Sequence, residues 1–242
     1  MTRYAKESRI IFDLGMNDGE DTAFYLRRGF KVVALEANPA LCERARQRFR
    51  NEIGDGRLKL LNFAIADRPG HAKFYVNLQN DHWSSLDADW AGRDSTAFKE
   101  ITVECVTLAS LFREFGVPYY MKIDVEGADQ SVLEQLRDGD ALPLFVSVED
   151  CRLGFDYMRT MASCGYDAFK LSDQSSVARM KDATTGHAFP AGSSGPFGDD
   201  VPGPWLPFGE MVKHYSLTVR DQAGNRLAPR SRWWDIHCTN RG

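Results

Sequence analysis

The sequence predicts an α/β protein with a doubly wound, mostly parallel sheet of the Rossmann-like kind, and three observations lead to this prediction. From Arg9 to Asn38 the chain reads as an apolar strand, a glycine loop, an amphipathic helix and a second apolar strand followed by an acid. Apolar strands then go on alternating with helical periods, which is typical of a parallel sheet covered on both faces. Acids follow several of these strands, at the edge where such sheets bind ligands.

The later elements follow from local patterns. Pro39 and apolar residues at helical spacing predict a helix over residues 39–50. Apolar runs bounded by turn residues predict strands at 58–65, 72–76, 101–106, 119–125, 142–148, 166–171 and 233–237. Helical spacing predicts short helices at 108–115, 131–136 and 155–164. Residues 77–93 are polar and are predicted to cross one face of the sheet as an excursion.

The loop after the first strand indicates which nucleoside the protein binds. Only Met16, Asn17 and Asp18 separate Gly15 from Gly19, so the three-glycine pattern of dinucleotide folds is missing. The loop carries acids and no Lys or Arg, which disfavours a pyrophosphate. An acid at Glu36 can accept hydrogen bonds from ribose hydroxyls. The pattern favours S-adenosylmethionine, whose ammonium and sulfonium are cationic, over the alternative of an ordinary glycine turn.

Composition narrows the class of protein. A net charge of −4 and a pI near 5.8 over 242 residues predict no nucleic-acid partner and no membrane partner. Five scattered cysteines without a C-x-x-C pair predict free thiols in a reducing compartment. The sequence has no apolar leader and no apolar run of the ~20 residues that span a bilayer, so we expect a cytoplasmic protein. A homo-oligomer is possible.

Residues 173–210 differ in composition from the rest of the chain. Gly, Pro and Ser are frequent there, but four aromatic residues interrupt them: Phe189, Phe197, Trp205 and Phe208. Long loops inside compact domains are usually functional or disordered, and the aromatics argue against disorder. We therefore expect a lid-like insertion over the substrate, with a weakly ordered surface insertion as the alternative.

A second acidic signal lies at residues 123–127, where Asp124 and Glu126 precede Gly127. If the strand continues here, its period of two places both acids on one side. Asp124 could then hold the ammonium of the cofactor, and Glu126 could reach toward the methyl acceptor. The alternative is that both acids cap the following helix.

Two motifs resemble the FkbM family of S-adenosylmethionine-dependent methyltransferases. They are residues 13–19 with Thr22 shortly after, and residues 122–127. Residues 64–67 and 84–86 are similar to the same family, so that the resemblance runs from Ile10 to Ser172. It implies a class I methyltransferase fold, here a single domain over residues 1–242. It also implies O-methylation of a hydroxyl on a small molecule, sugar or polyketide-like acceptor.

The resemblance also implies a set of cofactor residues. Cofactor roles pass to Asp13, Gly15, Glu36 and Asp124, and an adenine-side role passes to Ala64 and Ile65. The same pocket is predicted to include their neighbours Asn17, Gly19, Thr22, Ala37 and Asn38. The insertion after Ser172 departs from the short pattern of the family, so the acceptor stays open.

Asp124 and Glu126 are predicted to be the catalytic residues, because a hydroxyl gains from a general base. Other candidates for the base are Glu149, His82, His187 and His237. A metal held by Asp124, Glu149 and Asp150 is conceivable, but no His joins these acids and no metal is predicted. Two alternatives to a methyltransferase remain, a nicotinamide-dependent oxidoreductase and a non-catalytic nucleoside-binding domain.

Overall fold

The computed structural model describes residues 3–241 and folds them into two sheets. The strands are β1 (Ile10–Leu14), β2 (Lys31–Leu35), β3 (Leu58–Leu61), β4 (Ala64–Ile65), β5 (Gly70–Asn77), β6 (Phe98–Val106), β7 (Tyr120–Ile123), β8 (Phe145–Glu149), β9 (Ala168–Asp173), β10 (Leu206–Pro207) and β11 (Trp234–Thr239). The helices are α1 (Glu20–Arg27), α2 (Pro39–Arg48), α3 (Arg50–Gly54), α4 (Ala88–Ala91), α5 (Leu108–Phe115), α6 (Asp129–Glu134), α7 (Gly154–Ser163) and α8 (Phe208–Thr218). Short 3-10 turns lie at Asp81–Trp83, Arg93–Ser95, Gln174–Arg179 and Gly198–Asp200.

The larger sheet has the strand order β10-β9-β11-β8-β7-β1-β2-β3. Five neighbouring strands of this sheet are parallel, namely β3, β2, β1, β7 and β8. By contrast, β11 runs antiparallel to both β8 and β9. The chain goes from β1 outward to β3 and later returns to the other side of β1 with β7, so the strand order reverses there. A doubly wound sheet binds its ligand outside the carboxyl ends of the strands at this point. The predicted fold class is confirmed.

Two apolar layers cover the two faces of this sheet, as the period of two along β1 requires. Phe12 and Leu14 face one layer, to which α5, α6, α7 and α8 contribute. Ile11 faces the other layer, which contains residues of α1 and α2 and two aromatics of the insertion, Phe189 and Phe197. The insertion is therefore partly a core element, and its role as a lid stays a prediction.

The smaller sheet is built from β4, β6 and β5, and it differs most from the predicted elements. The strand predicted over 58–65 is split into β3 and β4, because Asn62 between them turns and donates to the carbonyl oxygens of Glu36 and Ala37 at 2.8 and 3.1 Å. β5 and β6 are longer than predicted, since they pair residue by residue from Gly70 with Cys105 to Asn77 with Phe98.

Within residues 3–241, none of the helices combines the length and the apolar character that crossing a membrane requires.

Candidate functional site

A cavity of about 360 Å³ opens at the carboxyl ends of the parallel strands. This volume lies within the range of small-molecule sites. One end of the cavity is lined by residues of the first glycine loop, the end of β2 and β4: Gly15, Asn17, Glu36, Ala37, Ala64 and Ile65. Three acids line the middle: Asp124, Glu126 and Glu149. The other end is lined by the insertion and the β11 region: Gln174, Gly192, Ser193, Ser194, Trp233 and Asp235.

Glu36 is held at the first end by two backbone amides. The N–H of Asn17 donates to Oε2 at 2.9 Å, and the N–H of Asn38 donates to Oε1 at 2.8 Å. Burial raises the pKa of Glu36 to about 7, although both hydrogen bonds oppose that shift. A carboxylate has about four acceptor positions, so each oxygen keeps one for a ligand hydroxyl. Glu36 therefore keeps an acceptor position on each oxygen at the cavity wall.

Gly15, which lines the cavity, and Gly19, which does not, both stand where a side chain would meet neighbouring atoms. Both have positive φ, +84° and +83°. A Cβ on Gly15 would lie 1.9 Å from the backbone oxygen of Asp124, and one on Gly19 would lie 2.6 Å from the ring of Phe49. Gly15 thus lets the β1 loop and the β7 loop approach each other and form one continuous wall.

Lys122, whose role the motif did not reveal, is the buried cation behind that wall. Its Nζ lies 3.1 Å from Asp124, 3.3 Å from Asp21 and 3.8 Å from Asp13. Burial opposes its charge, but the three carboxylates outweigh burial and raise the pKa of Lys122 further. Burial also opposes the charge of Asp124, and there Lys122 prevails and holds the pKa of Asp124 below its usual range. Asp124 is therefore an ionised carboxylate at the cavity wall.

Glu126 does not occupy the strand position that the sequence predicted. β7 ends at Ile123, and Glu126 has a φ of +53°, so the alternation argument for Asp124 and Glu126 is wrong. The turn still brings both residues to the cavity. Oε2 of Glu126 accepts from Nε1 of Trp90 at 2.7 Å and from Nη2 of Arg93 at 2.9 Å. Residues of the polar excursion therefore orient this side chain.

Glu126 also has a shifted pKa. Burial, and after it the charge of Asp124, raise the pKa of Glu126 to about 8, against the opposing effect of Arg93. Burial and the same carboxylate raise the pKa of Glu149 well above its usual value. One oxygen of each of Asp124, Glu126 and Glu149 lies within 4.8 Å of the other two. Three carboxyl groups this close disfavour being ionised together, so the charge of Asp124 favours protons on its two neighbours.

The same three acids have ligand atoms close enough to hold a metal ion. The metal site considered from the sequence had Asp150 in place of Glu126. Asp150 does not line the cavity, because Tyr215 donates to it at 2.6 Å and Arg220 pairs with it at 3.1 Å. The prediction that no metal is bound stays a prediction.

Four of the predicted cofactor residues lie outside the lining of the cavity. They are Asp13, Gly19, Thr22 and Asn38. Asp13 is fully buried and accepts from the hydroxyl of Thr22 at 2.6 Å, and Asn38 caps α2. These residues shape the wall from behind, because β1 buries Asp13 inside the sheet rather than at its edge.

Two of the histidines proposed as bases also lie elsewhere. His187 stacks on Phe24 at 5.2 Å between ring centroids, and His237 is buried in β11, where burial lowers its pKa to about 3. Neither lines the cavity, whereas His82 does. Sequence reasoning missed Gln174, Asp235 and Arg93, because the pairing of β11 with β8 and β9 and the fold of the excursion bring them to the site.

This chain is similar to one known protein family and to several known methyltransferases. The family model of the methyltransferase FkbM domain matches residues 13–168. A probable ribosomal RNA small subunit methyltransferase A of Methanospirillum hungatei JF-1 is 42% identical over 53 residues, which cover 22% of this chain and 21% of that protein. Among solved structures, methyltransferase FkbM of Methylobacillus flagellatus KT has 12% identity and a TM-score of 0.47, over 68% of this chain and 40% of that chain. Geranyl diphosphate C-methyltransferase of Streptomyces coelicolor A3(2) has 11% identity and a TM-score of 0.43, over 98% and 74%.

Proposed function

This chain belongs to the FkbM family of methyltransferases, and from that premise we propose that it transfers a methyl group from S-adenosylmethionine to a hydroxyl of a small-molecule acceptor such as a sugar or a polyketide-like compound. The family assignment carries the methyl transfer and the cofactor, and it leaves no support for the nicotinamide alternative. The choice of a hydroxyl oxygen as acceptor rests on the acids in the middle of the cavity.

The residues at the first end fit S-adenosylmethionine. Both oxygens of Glu36 are fixed by backbone amides and retain acceptor positions for the ribose hydroxyls. Ala64 and Ile65 offer an apolar wall for the adenine, and the ionised Asp124 can pair with the ammonium. When bound, the cofactor supplies an electrophilic methyl group on its sulfonium.

Glu126 is the observation that carries the proposal of O-methylation. An alcohol is a poor nucleophile near neutral pH and gains from a base whose pKa lies near the working pH. The pKa of Glu126 is raised to about 8, and its Oε2 is fixed by Trp90 and Arg93. Its other oxygen, Oε1, has no hydrogen-bond donor among residues 3–241 and can accept the proton of the acceptor hydroxyl.

Asp124 contributes in a different way. Lys122 keeps it ionised, so its negative charge attracts the cationic cofactor and raises the pKa of Glu126. Of the two predicted catalytic residues, Glu126 is thus the base, and Asp124 binds the cofactor and adjusts the pKa of that base.

A nucleic-acid acceptor is disfavoured despite the short match to a probable ribosomal RNA methyltransferase. The described lining of the cavity contains six acids and one arginine, Arg93: Glu36, Asp81, Asp124, Glu126, Glu149 and Asp235. Arg93 is already bonded to Glu126, so this lining offers no available cation to a phosphate backbone.

The test is a methyl-transfer assay with labelled S-adenosylmethionine on a library of sugars, phenols and polyketide-like alcohols, followed by NMR of the product. We expect an O-methyl product, and a rate that rises with pH through about 8 as Glu126 loses its proton. Glu126→Gln should lower kcat by ~100-fold or more, within the range for lost general-base catalysis, and should abolish this rise. Its affinity for S-adenosylhomocysteine should stay within about twofold of the wild type.

Two outcomes would contradict the proposal. Cofactor binding without turnover of any library member would indicate the non-catalytic domain instead. A product methylated on nitrogen or carbon would keep the methyltransferase and reject the hydroxyl acceptor.

A further inference from the structure

We propose that Gln174 recognises the methyl acceptor, at an acceptor end of the cavity that takes an uncharged, polyhydroxylated molecule. The acceptor end is defined as Gln174, Ser193, Ser194, Trp233 and Asp235. This inference rests on the proposed function, because it describes the second substrate of the same site.

Gln174 has a buried side chain at the wall of the cavity. The residue lines the cavity and is only 3% exposed. Among residues 3–241, neither its Oε1 nor its Nε2 has a hydrogen-bond partner. A buried polar group without a partner has lost its hydrogen bonds to water and gained none in return. Such a group at the wall of a binding cavity is explained if a ligand supplies the missing partners.

The backbone around Gln174 is fixed, which holds the base of its side chain at the cavity wall. Its N–H donates to the carbonyl oxygen of Trp233 at 2.9 Å. The preceding residue, Asp173, pairs with Trp234 across β9 and β11 and caps the 3-10 turn that Gln174 begins. The side chain of Gln174 therefore starts from a fixed point and is buried at the cavity wall.

Along the edge of the sheet, Glu36 and the acceptor end lie on opposite sides of the three central acids. β2, which ends next to Glu36, and β11, which carries Asp235, are separated by four strand spacings. Four spacings correspond to about 19 Å along the edge of the sheet. Two of the strands between β2 and β11 are β7 and β8. Asp124 follows β7, and Glu149 ends β8. A nucleoside at Glu36 and an acceptor at Gln174 would thus approach each other from opposite ends and meet at the three central acids.

The chemistry of the acceptor end selects the class of acceptor. An amide presents one carbonyl acceptor and two N–H donors side by side, which matches neighbouring hydroxyl groups. Asp235 lies opposite Glu149 across the strands, and burial and the charge of Asp124 raise its pKa well above the usual value, which favours the form that can donate as well as accept. Trp233 adds an aromatic surface for an apolar ring face. The one arginine of the described lining, Arg93, is already bonded to Glu126, so an acceptor bearing a phosphate or a carboxylate finds no available cation there and is disfavoured.

The test uses the full chain saturated with S-adenosylhomocysteine and titration calorimetry. The probes are methyl glucoside and myo-inositol, with glucose 6-phosphate and glucuronic acid as their anionic counterparts. We expect at least one neutral probe to bind, and the anionic probes to bind at least tenfold more weakly. Gln174→Leu should weaken the neutral probe by about 5- to 50-fold, as expected for one or two lost hydrogen bonds, and should leave S-adenosylhomocysteine binding within twofold.

The matched control is Gln130→Leu, because Gln130 also has a buried, unpartnered Oε1 but does not line the cavity. This control should bind both ligands like the wild type. Equal binding by wild type and Gln174→Leu, equal or tighter binding of the anionic probes, or no binding of either neutral probe would overturn the inference. Probes that bind in a Gln174-dependent way but yield no O-methyl product would support the inference and reject the proposed function.

Discussion

At the scale of single residues, Gly15 joins the two halves of the site. A residue with a side chain is strained at its φ of +84°, and the Cβ would meet the carbonyl oxygen of Asp124 at 1.9 Å. The obstacle is backbone, so it can move only if the β7 loop moves. Loss of Gly15 should therefore affect the protein more than loss of a glycine in a similar conformation on an open surface.

Gly56 offers that comparison, since it has a φ of +76° and no atom lies within 4 Å of the position that a Cβ would take there. We expect Gly56→Ala to cost about 1 kcal/mol of unfolding free energy through backbone strain alone. Gly15→Ala should cost at least ~2 kcal/mol more, because the clash adds to the same strain. Urea unfolding of the two variants measures the difference. Equal losses of unfolding free energy would mean that the β7 loop moves away from the new Cβ without further cost.

Much of the site could be predicted at this scale, and what was missed has a physical reason. Gly15, Asn17, Glu36 and Asp124 line the cavity, as their positions after β1, β2 and β7 indicated. Lys122 stood inside a recognised motif, but its function depends on acids from β1, α1 and the β7 loop that only the fold brings within 4 Å. Gln174 was invisible for the same reason, because its burial depends on β11 from the end of the chain.

At the scale of elements, the excursion between β5 and β6 holds Glu126 in place. The guanidinium carbon of Arg93 lies 4.6 Å from the ring centroid of Trp83 and 4.4 Å from that of Trp90. The hydroxyl of Ser85 donates to the backbone oxygen of Glu126 at 2.5 Å. The excursion thus acts as a positioning element for the proposed base, where the sequence indicated only a polar crossing.

This arrangement predicts a shift in the pH profile of methyl transfer. Arg93 opposes the rise in the pKa of Glu126, so Arg93→Met should raise that pKa above about 8. The rising limb of the rate should move to higher pH, with lower activity at pH 7. The control is Arg46→Met on α2, which removes an exposed arginine paired with Glu43 and should leave the limb in place. If the rising limb of the pH profile stays in place in Arg93→Met, the protonation of Glu126 does not control the rate.

The elements that the sequence missed share one property, namely dependence on long-range pairing. β5 and β6 extend to Gly70 and Phe98 because each residue pairs with one on the other strand. α8 was not predicted, since it begins only where the Gly- and Pro-rich insertion ends. It is anchored by the hydrogen bond of Tyr215 to Asp150. By contrast, α5 was predicted with the bounds that it has, because its Thr107 cap and apolar spacing are local signals.

At the scale of the whole molecule, the cavity brings together more carboxyl groups than its cations can neutralise. Burial raises the pKa of Glu126 to about 8 and raises those of Glu149 and Asp235 well above their usual values. In the unfolded chain these acids ionise near pH 4. Between pH 7 and 8 the folded state therefore holds protons that unfolding releases, which makes the unfolding free energy fall as pH rises.

The size of this effect can be measured on the cofactor-free protein. Each carboxyl that stays protonated in the fold contributes a slope of about −1.4 kcal/mol per pH unit. We expect the unfolding free energy from urea titrations to fall by at least ~1 kcal/mol from pH 7 to pH 8. Over this range the histidines are neutral in the unfolded chain and its thiols remain largely protonated, so the carboxyls dominate the slope.

Glu149→Gln tests the origin of the slope, because it removes a carboxyl group whose pKa is raised by burial while keeping the shape of the side chain. Its unfolding free energy should depend less on pH between 7 and 8, by up to about 1.4 kcal/mol per unit. An exposed counterpart, Glu43→Gln on α2, should keep the slope of the wild type. If Glu149→Gln has the slope of the wild type, the proton is not on Glu149, and the central acids must share their charge differently. If it flattens the slope, the proton is on Glu149, and the fold loses stability by keeping these acids together. That loss is then the cost of a cavity that places the cationic methyl donor beside the proposed base.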